Sequence, residues 1–227
     1  MRHLITVLLF VLALPSLAAA PPAYHLELEA NPAAPFPWAG RFGTVELHVY
    51  RGGVRADALW LNGMSRNGAP SVTVANPLGR MYVDVPVRDI AGIVAKLAGS
   101  KAGVERGARP TLTSTSRGEV KGIAATRYRL SYGKNAYIDL WTTSAIPENP
   151  QLRAVAHELV RGVSPGTADV AKKIPGVPIY IELNFRRFQK LTLLKVNKLT
   201  FESEGEEDAL TLGKMWIRAQ ALEKLWD

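Results

Sequence analysis

The sequence contains no cysteine. That excludes disulfides and thiolate metal sites, so burial alone must stabilise the fold. A phosphate-cradling glycine loop and a dinucleotide fingerprint are also missing. Histidine is scarce, at 4 of 227 residues, and none follows Ser164. The one long apolar run, Leu4 to Leu14, is shorter than the ~20 residues of a membrane span. It follows a basic start, Met1-Arg2-His3, and precedes Pro15-Ser16-Leu17-Ala18-Ala19-Ala20, which ends in small residues. This is the pattern of a secretory signal peptide. Cleavage after Ala18 is expected, because cleavage after Ala20 would leave Pro21 first. The expected organisation is a signal peptide over 1–18, a single domain over 19–205 and a helical tail over 206–227. The expected address is the periplasm, and the sorting signal ends in alanines, with no cysteine to carry a lipid anchor.

The chain is 47% hydrophobic, enough for one core, and carries a formal charge of +8. Losing Arg2 with the signal peptide leaves +7, a surface that attracts anions. An anionic envelope surface is a fitting partner, and nucleic acid is excluded by the address. No transmembrane segment is expected in the mature chain, which should be a monomer.

Alternation marks the strands. Tyr24, Leu26 and Leu28 point one way along 24–30, and His25, Glu27 and Glu29 the other. Residues 44–61 form a hairpin around Gly52-Gly53, whose glycines suit a type I′ turn. The expected pairs are Arg51 with Val54, Val49 with Ala56, Leu47 with Ala58 and Val45 with Trp60 on an apolar face. His48 pairs with Asp57 and Tyr50 with Arg55 on the other. Residues 71–74 and 81–85 read as strands joined through Asn76-Pro77-Leu78-Gly79. Asp89 then caps a helix with the apolar stripe Ile90, Ile93, Val94 and Leu97. The start of 103–117 is small and polar and reads as a loop.

A second hairpin turns at Gly133-Lys134-Asn135, with Asn135 in the left-handed position. Leu130 faces Ile138 and Tyr128 faces Leu140 on one side. On the other, Arg129 faces Asp139, Arg127 faces Trp141 and Ser131 faces Tyr137. The polar side is expected to be an exposed outer wall, whose ion pair is worth at most ~1 kcal/mol. Asn149-Pro150 opens a second helix with the stripe Leu152, Val155, Leu159 and Val160, ended by Gly162. A shorter helix follows over 165–173. Residues 179–185 alternate as a strand, and 191–201 form the next, with apolar residues on both faces. From Glu206 a helix is expected with Met215, Ala219, Leu222 and Trp226 on one side. The hairpin-linked strands and inserted helices predict an α+β fold: a strongly curved antiparallel sheet, an unclosed β-barrel, with helices covering its concave face.

Gly162-Val163-Ser164-Pro165-Gly166 matches the GxSxG elbow of serine hydrolases, but the physics opposes it. A helix precedes Ser164 where the elbow needs a strand. Pro165 has no N–H to donate to an oxyanion, and no histidine follows. No catalytic residue is assigned and the protein is not expected to be an enzyme. His25, Glu27 and Glu29 share one face, as do Glu46, His48 and Asp57. If their strands were neighbours, these groups could hold a divalent cation. Polar side chains on the wet face of a sheet are commoner, so neither a metal nor a cofactor is assigned.

The order of elements, together with "VKGIAATRYRL", "IDLWTT", "IPGVPIYIEL" and "LTLLKVNKLTFE", resembles a bacterial family of secreted domains of unknown function. That family is similar in layout to the lipoprotein carriers LolA and LolB, and the resemblance spans roughly 24–202. It implies an unclosed barrel whose concave side takes acyl chains. The expected function is therefore a periplasmic binding or carrier protein for a lipid or lipoprotein acyl chain, the alternative being an envelope protein-interaction module. Val45, Leu47, Val49, Trp60, Tyr128, Leu130, Ile138, Leu140, Ile179, Ile181 and Leu183 are the residues expected to line its cavity.

Overall fold

The structure, a computed structural model, describes residues 23–30, 43–58, 61–98, 108–133, 136–185, 188–202 and 207–225. Six strands come first: β1 (Ala23–Ala30), β2 (Thr44–Tyr50), β3 (Gly53–Ala58), β4 (Leu61–Arg66), β5 (Ser71–Asn76) and β6 (Met81–Pro86). Helix α1 (Val87–Ala98) follows directly. Strands β7 (Thr111–Val120), β8 (Ile123–Ser131) and β9 (Tyr137–Thr143) form the second run. Helices α2 (Pro150–Val163) and α3 (Pro165–Ala171) precede β10 (Val177–Phe185) and β11 (Phe188–Glu202). A two-residue strand, β12 (Ile217–Arg218), lies between 3-10 turns at Glu207–Leu210 and Leu222–Leu225.

Among the described residues all twelve strands join one sheet, in the order β12-β6-β5-β4-β3-β2-β1-β11-β10-β9-β8-β7. Every pairing is antiparallel except β12 with β6, and the sheet does not close. The expected fold class is the observed one. Hairpins build both wings, and β1 with β11 joins them at the centre.

Alternation sorts the side chains onto two faces. One face carries a central core of Tyr24, Leu26, Leu28, Leu47, Val49, Ile179 and Val196. Its two wings hold Val83 and Val85 under Ile90 and Val94 of α1, and Leu130 and Leu140 under Val170 of α3 and Ile174. This is the helix-covered face. The other is rich in charge, and is called the polar face below.

Several expectations shift. The first hairpin turns at Arg51-Gly52, so Val49 pairs with Val54, Leu47 with Ala56, Val45 with Ala58 and His48 with Arg55. The slip from the expected register is two residues, an even number, so every side chain stays on its expected face. Gly53 belongs to β3, paired with Tyr50 and Arg66, and must be small there because a Cβ would lie 2.3 Å from the Ser65 carbonyl oxygen. Strand β4 was missed, since Asn62, Gly63 and Ser65 hide its alternation, and so was β7 with its small polar residues. Helix α1 starts at Val87, so Asp89 lies in the first turn and is not its cap. Asn149 does cap α2: its Oδ1 accepts from the amides of Gln151 at 2.9 Å and Leu152 at 3.0 Å. Gly162 does not end α2. It is the contact with α1, where a Cβ would come within 2.6 Å of both the Ala91 oxygen and Val94 Cβ. Residues Trp60, Lys134 and Asn135 lie outside the described residues.

The expected C-terminal helix is replaced by a strap. Leu210 packs with Met64 and Ala75 on the polar face, joined by Trp216 and Tyr82. The chain then crosses the free edge of β6, where the Ile217 amide donates to the Arg80 carbonyl and the Ala219 amide to that of Tyr82. Ala219 and Leu225 finish against Val83 and Val85 on the helix-covered face. Tyr82 and Val83 are successive residues on opposite faces, so the tail grips the sheet from both sides. It also covers a strand edge that would otherwise be open to pairing. Met215 and Ile217, the first a member of the expected stripe, remain exposed.

Candidate functional site

Two of the expected lining residues, Leu130 and Ile179, are buried almost completely, and Leu47, Val49, Leu140 and Leu183 are buried as well. Val45, Tyr128, Ile138 and Ile181 are half-buried. The structure brings all of these but Leu183 together as two groups. Val45, Leu47, Val49 and Ile179 belong to the central core. Tyr128, Leu130, Ile138, Leu140 and Ile181 belong to the wing under α3. Helix α2 is held over the sheet by polar contacts at its start. Gln151 Nε2 donates to Ser65 Oγ at 2.8 Å and to the Ala69 carbonyl at 3.2 Å. Asn149 Nδ2 donates to Asn67 Oδ1 at 3.0 Å.

Two clefts stand out, and neither has an expected lining residue in its wall. The first, of about 330 Å³, lies on the polar face among Glu119, Arg127, Asp139, Trp141, Tyr180, Glu182 and Lys195. The second, of about 320 Å³, lies beneath the C-terminal strap, against Met64, Thr73, Tyr82, Leu210 and Trp216.

The register of the second hairpin is as expected: Leu130 opposite Ile138, Tyr128 opposite Leu140, Arg129 opposite Asp139, Arg127 opposite Trp141. What differs is the environment of the polar side, which is no outer wall. Asp139 is 2% exposed. It takes a two-pronged bond from Arg129, Nε to Oδ1 at 2.7 Å and Nη2 to Oδ2 at 2.8 Å, and a short bond from Arg127. Burial pushes its carboxyl up, but the hydrogen bonds and charges of Arg129 and Arg127 outweigh that and hold it below the usual carboxylate range. Arg129 also lies 3.7 Å over the Tyr137 ring. Trp141 lies across β7 where a Cβ on Gly118 would come within 2.9 Å of its ring. The rest of the cover comes from β10, which pairs with β9 and sets Glu182 opposite Asp139 and Tyr180 opposite Trp141. The Tyr180 hydroxyl donates to Glu182 Oε2 at 3.0 Å, and burial pushes its pKa up. Sequence reasoning missed Tyr180, Glu182 and Lys195. The alternation of 179–185 showed which way Tyr180 and Glu182 point, but not which strand lies beside them.

Strands β1 and β2 are neighbours, and His25 sits directly opposite His48. The two rings stack with centroids 4.3 Å apart. Ser164 is 3% exposed and its Oγ accepts from Thr167 Oγ1 at 2.7 Å. The GxSxG match is thus a buried turn between α2 and α3.

The chain is an α+β domain built on one open, mostly antiparallel sheet with helices on one face. No protein-family profile and no curated protein sequence matches it. Several solved structures align with the chain. An uncharacterized conserved protein from Thermus thermophilus aligns over 88% of this chain and 90% of its own, at 10% identity and a TM-score of 0.49. MucB of Pseudomonas aeruginosa, solved in complex with MucA, aligns over 84% of this chain and 56% of its own, at 15% identity and 0.38. A Vibrio parahaemolyticus domain named for outer membrane lipoprotein sorting aligns over 83% and 87%, at 9% identity and 0.28. Among the described residues, no helix is long and apolar enough to cross a membrane.

Proposed function

We propose that the protein is a non-catalytic, exported binding protein that carries the apolar chain of an amphipathic ligand, a lipid or a lipoprotein acyl chain, on the helix-covered face of its sheet. The supporting observation is a band of half-covered apolar positions on the helix-covered face, running from the central core toward the α1 wing. Leu47, Ala56, Gly63 and Val74 lie side by side across four strands, beside the row Val45, Ala58 and Leu61. Leu47 is buried, but the other apolar side chains of the two rows are only half-buried among the described residues. A Cβ built on Gly63 would meet nothing within 4 Å. Apolar surface left half-covered between packed clusters gains ~25 cal/mol per Å² when a ligand covers it. The formal charge of +8 suits an anionic head group.

Displacement of a fluorescent fatty-acid probe tests this. Gly63→Leu adds an apolar side chain to the band at a position where its Cβ meets nothing within 4 Å. It should weaken probe binding at least about tenfold, a loss of ~1.4 kcal/mol, while the melting temperature stays put. Leu78→Ser, on an exposed turn, should change nothing. Wild-type protein that does not bind the probe, or Gly63→Leu that binds it unchanged, would overturn the proposal.

One observation favours the rival reading, an envelope interaction module. Leu78, Met215 and Ile217 are 84%, 72% and 65% exposed, and the strap bonds at Arg80 bring the last two to the same sheet edge as the turn that carries Leu78. Apolar side chains gathered at an edge suit a protein partner.

A further inference from the structure

We infer that His25, His48 and Glu46 form a binding site for one divalent transition-metal ion on the polar face of the sheet. The inference is independent of the carrier proposal, which concerns the opposite face.

The backbone builds the site. Strands β1 and β2 pair so that His25 and His48 are direct partners on the polar face, with the rings parallel within 6° and stacked at 4.3 Å. Glu46, two residues before His48, points to the same side. One donor atom from each of the three residues falls within 4.8 Å of the others. Around a tetrahedral ion, ligand atoms at 2.0–2.2 Å are separated by about 3.3 Å. The nitrogen lone pairs lie in the ring planes, so ligation of one ion requires the two stacked rings to tilt toward each other, and Glu46, the most exposed of the three, swings in to meet it.

The surroundings favour a ligand here. The Nε2 atom of His25 is shielded from solvent and has no hydrogen-bond partner. A buried ring nitrogen left this way costs free energy that a metal bond would recover. His48 Nε2 faces two carboxylates, Glu46 Oε2 at 3.7 Å and Asp57 Oδ2 at 3.8 Å. Both are too long for hydrogen bonds. Asp57 is committed elsewhere: Arg55 Nε donates to both its oxygens at 2.9 Å, and Arg55 Nη1 reaches the Ala209 carbonyl at 3.2 Å. It therefore adds negative charge beside the site and leaves ligation to Glu46. Two imidazoles and one carboxylate suit zinc or a neighbouring transition metal over magnesium or calcium, which prefer all-oxygen shells. Three protein ligands leave at least one position for water or an incoming group.

The test uses untagged, chelator-treated full-length protein, titrated with Zn²⁺ by calorimetry and with Co²⁺ by visible absorption. Wild type should bind one ion, develop the ligand-field bands of nitrogen–oxygen coordination, and melt higher as Zn²⁺ is added. His25→Ala and His48→Ala should lose all three responses. Glu46→Gln should weaken binding at least about tenfold and, changing an exposed side chain, should leave the metal-free melting temperature untouched. His157→Ala, on α2, should bind as wild type does. Should the two histidine variants not fold, Glu46→Gln against His157→Ala decides alone. No saturable binding by wild type, or binding that survives Glu46→Gln unchanged, would overturn the site.

Discussion

Asp139 shows how far one residue can depart from its apparent setting. Alternation puts it on the polar face with Arg127, Arg129 and Trp141, and that is where it is. A polar face is not an exposed one, however. Tyr180 and Glu182 arrive from β10, more than thirty-five residues away, and no local pattern announces them. The consequence is energetic. An exposed pair would tolerate Asp139→Ala at under ~1 kcal/mol. Here the change leaves two guanidinium groups without their acceptor, and breaking a buried pair costs ~3–5 kcal/mol. The arginine side chains are 30% and 32% exposed, so the loss should fall near the low end, comparable with the ~2–5 kcal/mol of Leu140→Ala. Chemical denaturation of the two variants checks this, and a cost below ~1 kcal/mol for Asp139→Ala would contradict it. The pH dependence has a definite sign. A carboxyl held below its unfolded value of ~3.9 stabilises the fold fully above that value, and loses the contribution as pH falls through the lower folded pKa. The gap between wild type and Asp139→Asn should therefore be constant near neutrality and narrow in acid below about pH 4.

At the scale of elements, the legible parts were those that local chemistry writes down. Asn149-Pro150 marked a helix start, and the second hairpin's register followed from its loop length and facing residues. The first hairpin slipped by two because Gly52-Gly53 looked like turn glycines, whereas Gly53 is small in order to lie against β4. Gly162 misled in the same way: it looked like a stop and is a close contact between α1 and α2. Both are cases where glycine answers to a distant neighbour, which a local reading cannot see. The C-terminal strap is the largest departure. Met215, Ala219 and Leu222 fall at helical spacing, but Ala219 and Leu222 are taken up by the helix-covered face and Leu210 by the polar face. A short segment that must bury residues on both sides of a sheet cannot remain one helix. Removing residues 203–227 should uncover Met64 and Ala75 on one face and Val83 and Val85 on the other. The truncated protein should melt several degrees lower and bind more hydrophobic dye. Unchanged melting would mean that the strap adds nothing to the fold.

For the whole molecule, the pattern of strands and helices foretold an open antiparallel sheet with helices over its apolar face, which is the structure found. The described residues named as a cavity lining are on that face. Whether they hold a ligand could not be read from them, because a filled core and a lined cavity have the same alternation. The difference lies in how fully the cover packs, and Ala56 and Gly63 are where it is incomplete. The histidine cluster was legible only conditionally: alternation put His25 on one polar face and Glu46 and His48 on another, and only the pairing of β1 with β2 makes them neighbours. The central claim is that the helix-covered face carries an apolar chain. Native mass spectrometry of untagged protein, recovered after export and kept free of detergent, tests it most directly. The expected spectrum contains, beside the bare chain, a species heavier by the mass of a lipid or acylated molecule, and that species disappears in Gly63→Leu. A spectrum showing only the bare chain, or an adduct that Gly63→Leu retains in full, would contradict the account.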